Sequence, residues 1–399
     1  MTIPNVLKEF QDFHEFGRDS LIDEIMGVPR VTNEFWTHRQ RAAHALHEVS
    51  YRACFKPQLP RFFIERFTAP SQLVYDPFMG RGTTLLEAAL LGRMVSGGDA
   101  NPLSAALIAP RLSPPSLEEI ARRLEEIPWS FELAETNPDL LAFYHPQTLA
   151  QLMSLRAYLH DQSKRDAADG WIQMVALNRL AGHSPGFFSV YTLPPNQAVS
   201  PESQRKINAR LGQTPEPKNV ARLILKKSQS LLKGISPTDL QRLHEAAAVC
   251  RLFVQASQEP VALPSGSVQL VVTSPPFLDV VDYAQDNWLR CWFMGLSSRS
   301  LHLTVARQVG QWQEQMRQSL AQLHRIVAPG GHVAFEVGEI RGGQMPLEEA
   351  VIPLALATGY QPLAVLINQQ HFTKTANCWG VSNGRKGTNT NRVVVLQRP

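Results

Sequence analysis

The sequence predicts an α/β protein in which a long helical insert interrupts a central sheet. Residues 72–110 alternate short apolar runs with helix-like stretches, which is the pattern of a β-α-β-α unit. The same alternation resumes after the insert and continues to the end of the sequence. Residues 113–260 instead show helical periodicity broken by turn residues. We therefore expect one sheet domain, encoded by residues 51–112 and 261–399, with an inserted domain at residues 113–260.

The overall composition is that of a globular protein of the cytoplasm. A hydrophobic fraction of 44% in 399 residues allows a large core, and a net charge of +4 permits a polyanionic partner without requiring one. The four cysteines lack CxxC spacing, and no apolar run is long enough to cross a membrane. Residues 1–50 predict a helical segment and do not resemble a signal peptide. His44 and His47 lie at helical spacing without further ligands, so no metal is expected.

A glycine-rich loop follows the first predicted strand. It reads Asp76-Pro77-Phe78-Met79-Gly80-Arg81-Gly82-Thr83-Thr84 and matches neither the GxxxxGK[ST] nor the GxGxxG pattern. Gly80 and Gly82 allow a sharp turn and the close approach of a ligand. Asp76 can receive a cationic group, Phe78 can pack against an apolar part of the ligand, and the two threonines can cap the next helix. A tight strand-to-helix turn without a ligand is the alternative.

An acidic residue ends the second predicted strand, about 20 residues beyond the glycine loop. Residues 93–98 form this strand, and Asp99, Ala100 and Asn101 follow it and are expected to border a ribose. A carboxylate at this position can accept hydrogen bonds from both vicinal hydroxyls. S-adenosylmethionine offers a cationic amino group, a sulfonium, a ribose and an adenine. It therefore fits Asp76, the glycine loop and Asp99 together, and it is the cofactor that we predict.

A second rigid loop follows the strand predicted at residues 268–273. It reads Thr273-Ser274-Pro275-Pro276-Phe277. Two consecutive prolines fix the backbone and remove two N–H donors, so the carbonyls of Ser274 and Pro275 become rigid acceptors. The exocyclic amino group of a flipped base needs such acceptors, and Phe277 offers a face on which the base can stack. A Pro-Pro turn after a strand is the alternative, which the presence of the glycine loop makes less favoured.

The insert concentrates the basic charge of the chain. Residues 201–235 carry eight Lys or Arg residues against two acids. A solvated helix face is the ordinary explanation of such a run, but an aromatic, glycine-bearing loop at residues 182–191 favours nucleic-acid contact. The predicted DNA-binding residues of the insert are Arg205, Lys206, Arg210, Lys226 and Lys227.

The remaining elements complete the predicted sheet domain. Helices are expected at residues 287–296, 310–327 and 347–358, and strands at residues 332–337, 362–368 and 391–397. The connection at residues 369–390 is long, polar and basic. Its Lys374, Arg385 and Lys386 are predicted to contact DNA as a second substrate loop.

The two motifs resemble those of the exocyclic-amino DNA methyltransferases, which methylate N4 of cytosine or N6 of adenine. The glycine loop is similar to the cofactor motif of this family and Ser274–Phe277 to its catalytic motif, in the alpha order with a target recognition domain between them. Phe55-Lys56-Pro57-Gln58, which can also lie over a ligand, resembles the segment that borders the methionine end of the cofactor. Asp99 matches the ribose-binding acid. The resemblance implies a Rossmann-like S-adenosylmethionine-dependent methyltransferase sheet with an inserted, mainly helical target recognition domain.

Substrate type follows from the residue before Pro-Pro. In the family, serine there is associated with cytosine N4, so Ser274 implies an N4-cytosine enzyme. Transfer to adenine N6, an RNA substrate and a catalytically silent nucleic-acid-binding module stay as alternatives. One segment departs from the family: where an acid often lies near the cofactor adenine, this chain reads Phe253-Val254-Gln255-Ala256-Ser257. We therefore expect the Ala256 backbone or Ser257 to contact the adenine.

The resemblance also implies how the reaction proceeds. Double-stranded DNA is the expected substrate, with the target base flipped out of the helix. Ser274 Oγ and the Pro275 carbonyl are expected to accept hydrogen bonds from N4, and Ser274 to border the cofactor as well. The methyl group would then be transferred by direct displacement, without a covalent enzyme intermediate. A cognate restriction endonuclease is compatible with this assignment, whereas the recognition sequence and the oligomeric state stay open.

Overall fold

The computed structural model of the protein describes residues 3–36, 43–51, 54–133, 137–161, 165–192, 198–276, 283–297, 306, 308–337, 339–340, 345–369 and 390–399. Phe277, Lys374, Arg385 and Lys386 lie outside the described residues, so the predictions made for them are not addressed by the structure. None of the helices within the described ranges is long and apolar enough to span a membrane.

The strands of the main sheet come from both ends of the chain and from both sides of the insert. They are β1 (Leu21–Ile25), β2 (Val28–Asn33), β3 (Leu73–Asp76), β4 (Met94–Asp99), β5 (Arg251–Val254), β6 (Val268–Thr273), β7 (Val327–Val337), β10 (Gln361–Gln369) and β11 (Thr390–Gln397). Strands β8 (Glu339–Ile340) and β9 (Met345–Pro346) form a separate two-stranded ribbon.

The order of the strands defines the fold. Within the described residues the sheet order is β1-β2-β10-β11-β7-β6-β3-β4-β5. Strands β5, β4, β3, β6 and β7 run parallel, and β11 runs antiparallel between β7 and β10. This is the Rossmann-like methyltransferase sheet that the sequence predicts. Because β3, β4, β5 and β6 are parallel, their last residues lie at the same edge of the sheet, where ligands bind in such sheets; these residues are Asp76, Asp99, Val254 and Thr273.

The helices fall into two sets. Those of the sheet domain are α1 (Ile3–Gln11), α2 (Gln58–Phe67), α3 (Thr83–Leu90), α4 (Pro102–Leu112), α11 (Tyr283–Asp286), α12 (Trp288–Met294), α13 (Val309–Ile326) and α14 (Glu348–Ala357). Those between β4 and β5 that follow α4 are α5 (Leu117–Glu126), α6 (Pro146–His160), α7 (Ala167–Arg179), α8 (Pro201–Leu211), α9 (Val220–Leu232) and α10 (Pro237–Val249). The mainly helical character predicted for the insert is confirmed.

Two hydrophobic cores cover the two faces of the sheet. Successive residues of a strand point to opposite faces, and this alternation divides the buried strand residues between the cores. Val74 and Val272 belong to the core on the side of α2 and α3, whereas Tyr75 and Val271 belong to the core on the side of α13 and α14. The strands are thus buried on both faces, which explains why they are continuous apolar runs in the sequence.

The helical prediction for residues 1–50 is wrong in its central part. Helix α1 is present, but residues 21–33 form the hairpin β1–β2, and β2 pairs in parallel with β10. Met26 and Gly27 form its two-residue turn with φ of 51° and 77°. Positive φ at both central residues is the geometry of a tight β-hairpin, so the glycine at the second position was a signal of the turn.

The predicted boundary of the insert at residue 260 is also wrong. Strand β5 lies in the main sheet, where Ser96–Asp99 of β4 pair with Arg251–Val254. Helix α10 packs against α3, α4 and β4 and leads directly into this strand. Strand β5 is a four-residue edge strand with exposed or half-exposed side chains, and its three apolar residues are too short a run to identify a strand by themselves.

Candidate active site

The glycine loop joins the end of β3 to α3 and is shaped by two left-handed residues. Gly80 has φ of 49° and Gly82 has φ of 76°, values that other residues rarely adopt. A Cβ on Gly80 would lie in ordinary van der Waals contact with the ring of Tyr51 (3.6 Å) and the Phe78 carbonyl (3.9 Å), so Tyr51 lies against this part of the loop. A Cβ on Gly82 would lie 2.6 Å from Ile108 of α4. Gly82 therefore serves close helix packing, a role that the sequence did not predict, and its part in cofactor binding stays a prediction.

The two threonines after the loop do not cap α3 as predicted. The N-cap residue of α3 is Gly82, and no side chain caps this helix. Thr83 Oγ1 instead accepts a hydrogen bond from Arg81 Nε (3.0 Å), and Thr84 Oγ1 donates to the Val272 carbonyl (3.0 Å). The second contact ties α3 to β6, so the threonines fix the loop against the neighbouring strand.

Asp76 joins the glycine loop to the second motif. Its carboxylate is 1% exposed. Oδ1 accepts hydrogen bonds from the Phe78 amide (3.0 Å) and from Thr273 Oγ1 (2.6 Å), the residue directly before Ser274. Burial raises the pKa of Asp76 to about 7, and the hydrogen bonds from Thr273 and Phe78 only partly oppose this shift. A buried carboxylate without a cation among the described residues can receive one from a ligand, as the sequence predicts.

The raised pKa of Asp76 predicts a stability cost that a neutral side chain would remove. Since the pKa rises from 3.8 to about 7 on folding, the folded protein binds more protons between these values, and its stability falls as the pH rises through them. We expect Asp76→Asn to increase the free energy of unfolding at pH 8 by about 1–2 kcal/mol and to reduce the loss of stability between pH 5 and pH 8. Urea unfolding of the ligand-free protein at these two pH values measures both effects.

Asp169→Asn is the matched control for this prediction. Asp169 is also fully buried, but its carboxylate contacts Arg123 at 2.6 Å. Its neutralisation removes the fully buried carboxylate of the Arg123 cluster, which also includes the more exposed Glu126 and Asp166, so this variant should lose stability. Equal pH dependence of unfolding in wild type and Asp76→Asn would contradict the account of Asp76.

Asp99 lies at the end of β4, beside the glycine loop. Its Oδ2 accepts a hydrogen bond from the Gly80 amide and its Oδ1 one from the Asn101 amide, both at 2.8 Å. Burial raises the pKa of Asp99, while these two backbone amides lower it and favour the carboxylate. Each carboxylate oxygen has a further lone pair for a hydroxyl group. Asp99 thus shapes the loop, a role that the sequence did not predict, and its contact with a ribose stays a prediction.

Three other predicted cofactor residues surround this edge. Asn101 is buried, caps α4 through the Leu103 amide (3.1 Å) and donates from Nδ2 to the hydroxyl of Tyr51 (3.1 Å). Ala256 follows β5, where the Gln255 amide donates to the Asp99 carbonyl (3.1 Å), so the segment predicted to contact adenine lies beside Asp99. Lys56 is partly buried, and burial followed by repulsion from Arg81 lowers its pKa.

The remaining cofactor residues are placed by packing. Phe78 is partly buried against the core on the α13 side, and Pro77 and Ala100 lie in the turns that follow β3 and β4. Phe55 is partly buried and its carbonyl accepts a hydrogen bond from Arg81 Nη2 (3.3 Å). This contact brings the segment before α2 to the glycine loop, in agreement with the sequence interpretation.

The second motif leaves β6 next to the glycine loop. Pro275 is buried, and the Pro276 carbonyl accepts a hydrogen bond from Trp312 Nε1 (3.0 Å). Trp312 is 1% exposed on α13, so it fixes the direction in which the motif leaves the sheet. Because Thr273 forms a hydrogen bond with Asp76, the two motifs are in direct contact one residue before Ser274.

A functional candidate that the sequence interpretation missed, Glu336, lies beside Ser274. Glu336, near the end of β7, forms a hydrogen bond with the Ser274 side chain and accepts another from Asn391 Nδ2 of β11 (2.9 Å). An ionised carboxylate only accepts, so Ser274 must donate its single proton to Glu336 and present its lone pairs elsewhere. A glutamate in the otherwise apolar run at residues 333–337 was the available signal.

Glu336 predicts an acid limit to activity. Burial raises the pKa of Glu336, and the hydrogen bonds from Ser274 and Asn391 oppose this shift. Protonation of Glu336 at low pH would allow Ser274 to turn its proton toward the substrate, so activity should fall as the pH drops through this pKa. We expect Glu336→Gln to lower kcat about 10-fold or more and to lose the acid limb of the pH–rate profile. Steady-state rates from pH 5 to pH 9 measure both.

Glu348→Gln is the control for the acid limb. Glu348 is a buried carboxylate on α14 that forms an ion pair with Arg392 of β11. Its replacement should affect stability without moving the acid limb. The same acid limb in wild type and Glu336→Gln would contradict the role assigned to Glu336.

The predicted DNA-binding cations of the insert differ in their availability. Arg205 contacts Asp139, Lys206 contacts Glu202 and Lys227 contacts Glu48, at distances of 2.6 to 2.7 Å. Arg210 and Lys226 are exposed on α8 and α9. Ion-paired cations contribute less to the attraction of a polyanion, so Arg210 and Lys226 are the stronger candidates of the five. Across the described ranges, no cluster of three or more His, Cys, Asp or Glu residues could hold a metal.

Comparisons with known proteins agree with part of this interpretation. Residues 24–108 match the family described as DNA methylase. The chain is 33% identical over 117 residues to the Type II methyltransferase M.MvaI of Kocuria varians, covering 28% of this chain and 25% of that protein. It is 29% identical over 86 residues to the Type II methyltransferase M.MjaII of Methanocaldococcus jannaschii, covering 22% of this chain and 16% of that protein. The chain thus spans a quarter or less of the length of these curated relatives.

Solved structures align over more of the chain but at low similarity. The alignment with TrmN from Thermus thermophilus covers 87% of this chain and 50% of TrmN, at 14% identity and a TM-score of 0.34. A SAM-dependent methyltransferase from Methanosarcina mazei covers 84% of this chain and 96% of its own length, at 10% identity and a TM-score of 0.33. The assignment of the fold rests on the strand order described above.

Proposed function

We propose that this protein transfers a methyl group from S-adenosylmethionine to the N4 amino group of cytosine in double-stranded DNA. The match of residues 24–108 to a DNA methylase family supports a DNA methyltransferase, and the two relatives are named Type II methyltransferases. The observation that supports an amino group as the site of methylation is the hydrogen bond between Ser274 and buried Glu336. This bond leaves the serine hydroxyl able only to accept a hydrogen bond from the substrate.

The residues of the glycine-loop edge fit S-adenosylmethionine. When bound, this cofactor supplies an electrophilic methyl group on its sulfonium. Asp76 is a buried carboxylate that suits its amino group, and Asp99 lies at the end of the next strand, where it suits the ribose. Gly80 joins these two groups, because its amide donates to Asp99 and its backbone passes beside Tyr51.

Ser274 and its neighbours would prepare the amino group for attack. Its Oγ and the Pro275 carbonyl accept hydrogen bonds from the two N4–H groups, which directs the nitrogen lone pair away from the ring. The nitrogen forms the new bond to carbon, the bond between sulfur and this carbon breaks, and one N4 proton is released. Glu336 lies one hydroxyl group away and can take up this proton through Ser274. The gain in rate then comes mainly from position and from preorganised acceptors.

The insert is proposed to recognise the DNA. Its described helices carry the exposed Arg210 and Lys226, which can contact phosphates. As its relatives are named Type II methyltransferases, a cognate restriction endonuclease is proposed as a functional partner. Phe277, Lys374, Arg385 and Lys386 keep the roles predicted from the sequence.

Single-molecule sequencing of DNA from a host that expresses the chain tests this proposal. The method reads the modified base and its sequence context together. We expect N4-methylcytosine at one short motif, and none in a host that expresses Ser274→Ala. N6-methyladenine would replace the cytosine assignment with the adenine alternative, and unmodified DNA would favour an RNA substrate or a silent binding module.

A further inference from the structure

Arginines from separate parts of the chain converge on the segment before α2. Arg81 lies in the glycine loop, Arg111 near the end of α4 where the insert begins, and Arg290 in α12 after the second motif. Residues 46–51, 54 and 55 form what we call the clamped segment, and the three guanidinium groups donate to five of its backbone carbonyls. These contacts join regions that are far apart in the sequence.

The contacts cover the clamped segment along its length. Arg111 Nη1 donates to the Leu46 carbonyl (3.2 Å). Arg81 donates from Nη1 to the carbonyls of His47 (3.4 Å) and Val49 (2.9 Å) and from Nη2 to that of Phe55 (3.3 Å). Arg290 Nη2 donates to the Ser50 carbonyl (2.8 Å). Arg111 also donates to the Arg81 carbonyl, so the glycine loop and the clamped segment share one network.

The burial of two of these guanidinium groups would be unfavourable if the arrangement served only the stability of the protein. Arg111 is 0% exposed and Arg290 is 9% exposed. Burial, followed by repulsion from Arg81, lowers the pKa of Arg111 to about 9, and burial also lowers the pKa of Arg290. Apolar side chains of similar volume would avoid this desolvation. What the planar guanidinium adds is geometry, because it holds several carbonyls at fixed directions at once.

The clamped segment forms a wall of the proposed cofactor site. Tyr51 has its ring 3.6 Å from the position of a Cβ on Gly80, and its hydroxyl accepts a hydrogen bond from Asn101 Nδ2. Tyr51 therefore lies against the glycine loop at Gly80 and contacts the residue that lies two positions beyond Asp99. A shift of the clamped segment would move this wall.

We propose that Arg81, Arg111 and Arg290 are positioning residues that hold the clamped segment against the glycine loop and thereby set the affinity for S-adenosylmethionine. The inference rests on the proposed function, since it takes S-adenosylmethionine as the ligand of this edge. Arg290 acts from the side of the second motif and the insert: its Nε donates to the Leu177 carbonyl of α7 (3.3 Å) and its Nη1 to Asn287 (2.6 Å). The arginines thus connect the proposed cofactor site to the second motif and to the insert.

The test compares Arg81→Met and Arg290→Met with the matched control Arg93→Met. Arg93 makes contacts of the same kind at the opposite edge of the sheet, donating to the carbonyls of Leu91 and Thr68. Isothermal titration calorimetry with S-adenosylmethionine gives the affinity of each full-length protein. We expect a loss of about 10-fold or more in both clamp variants, and wild-type affinity in the control. Hydrogen exchange of the amides at residues 46–51 should be faster in both clamp variants only.

Steady-state kinetics separate positioning from general damage. In Arg81→Met, KM for S-adenosylmethionine should rise more than kcat at saturating cofactor falls. If the methionine variants do not fold, Arg81→Lys and Arg290→Lys keep the charge but lose the planar contacts, and a loss of affinity in both is again expected. Wild-type affinity in the Arg290 variants, or an equal loss in Arg93→Met, would overturn the clamp. Failure of the wild-type protein to bind S-adenosylmethionine would instead overturn the proposed function.

Discussion

Replacement of Ser274 by alanine is expected to lower the rate of methyl transfer to DNA about 100-fold or more while the protein retains its affinity for S-adenosylmethionine. The change removes the acceptor that Glu336 holds in one orientation. It leaves Thr273 and its hydrogen bond to Asp76 intact, so the proposed cofactor side of the site keeps its geometry. Single-turnover rates with labelled cofactor measure the loss, and calorimetry measures the retained affinity.

Ser267→Ala is the control for this variant. Ser267 is a half-buried serine next to the opposite end of the same strand, where its hydroxyl donates to the Pro264 carbonyl (2.8 Å). Its removal should leave transfer at the wild-type rate. A Ser274→Ala protein that turns over at the wild-type rate would exclude Ser274 as the acceptor of the amino protons.

Replacement of Asp99 by alanine is expected to have the opposite pattern, with the affinity for S-adenosylmethionine reduced about 100-fold. Two effects add at this position. The variant loses the proposed acceptor for the ribose hydroxyls, and it leaves the Gly80 and Asn101 amides without the carboxylate that they now share. The glycine loop should therefore lose its shape as well as one ligand contact.

Calorimetry with Asp99→Ala and Ser274→Ala side by side tests this division of roles. The Asp99 variant should bind weakly, and the Ser274 variant should bind as the wild type does. Unchanged affinity in Asp99→Ala would rule out the proposed ribose site. The pair of variants also guards against a general loss of structure, since each is the control for the other.

The central sheet could be predicted from the sequence because its strands carry local signals. Strands β3, β6, β7, β10 and β11 contain apolar runs bounded by glycine, proline or polar residues, and strands covered on both faces require such runs. The elements that were missed are at the edges of the sheet. Strand β1 is exposed at four of its five residues, and β5 has exposed ends, so neither needs the apolar pattern that identifies a strand.

The candidate site could be predicted only where it is encoded in one continuous motif. Asp76, Gly80 and Ser274 lie in short strings whose chemistry can be reasoned locally. Glu336 acts through side chains from β6 and β11, and such a contact exists only after the sheet has formed. The packing role of Gly82 was missed for the same reason, since Ile108, which occupies the space beside it, lies on a different helix.

Transfer of a labelled methyl group from S-adenosylmethionine to duplex DNA by the purified protein, followed by mass spectrometry of the nucleosides, tests the central claim most directly. The account predicts that the label appears in N4-methylcytosine, and that both Ser274→Ala and Asp99→Ala abolish the signal at limiting cofactor. Label in no nucleoside of DNA that contains the recognition motif, or equal labelling by the Ser274 variant, would contradict it.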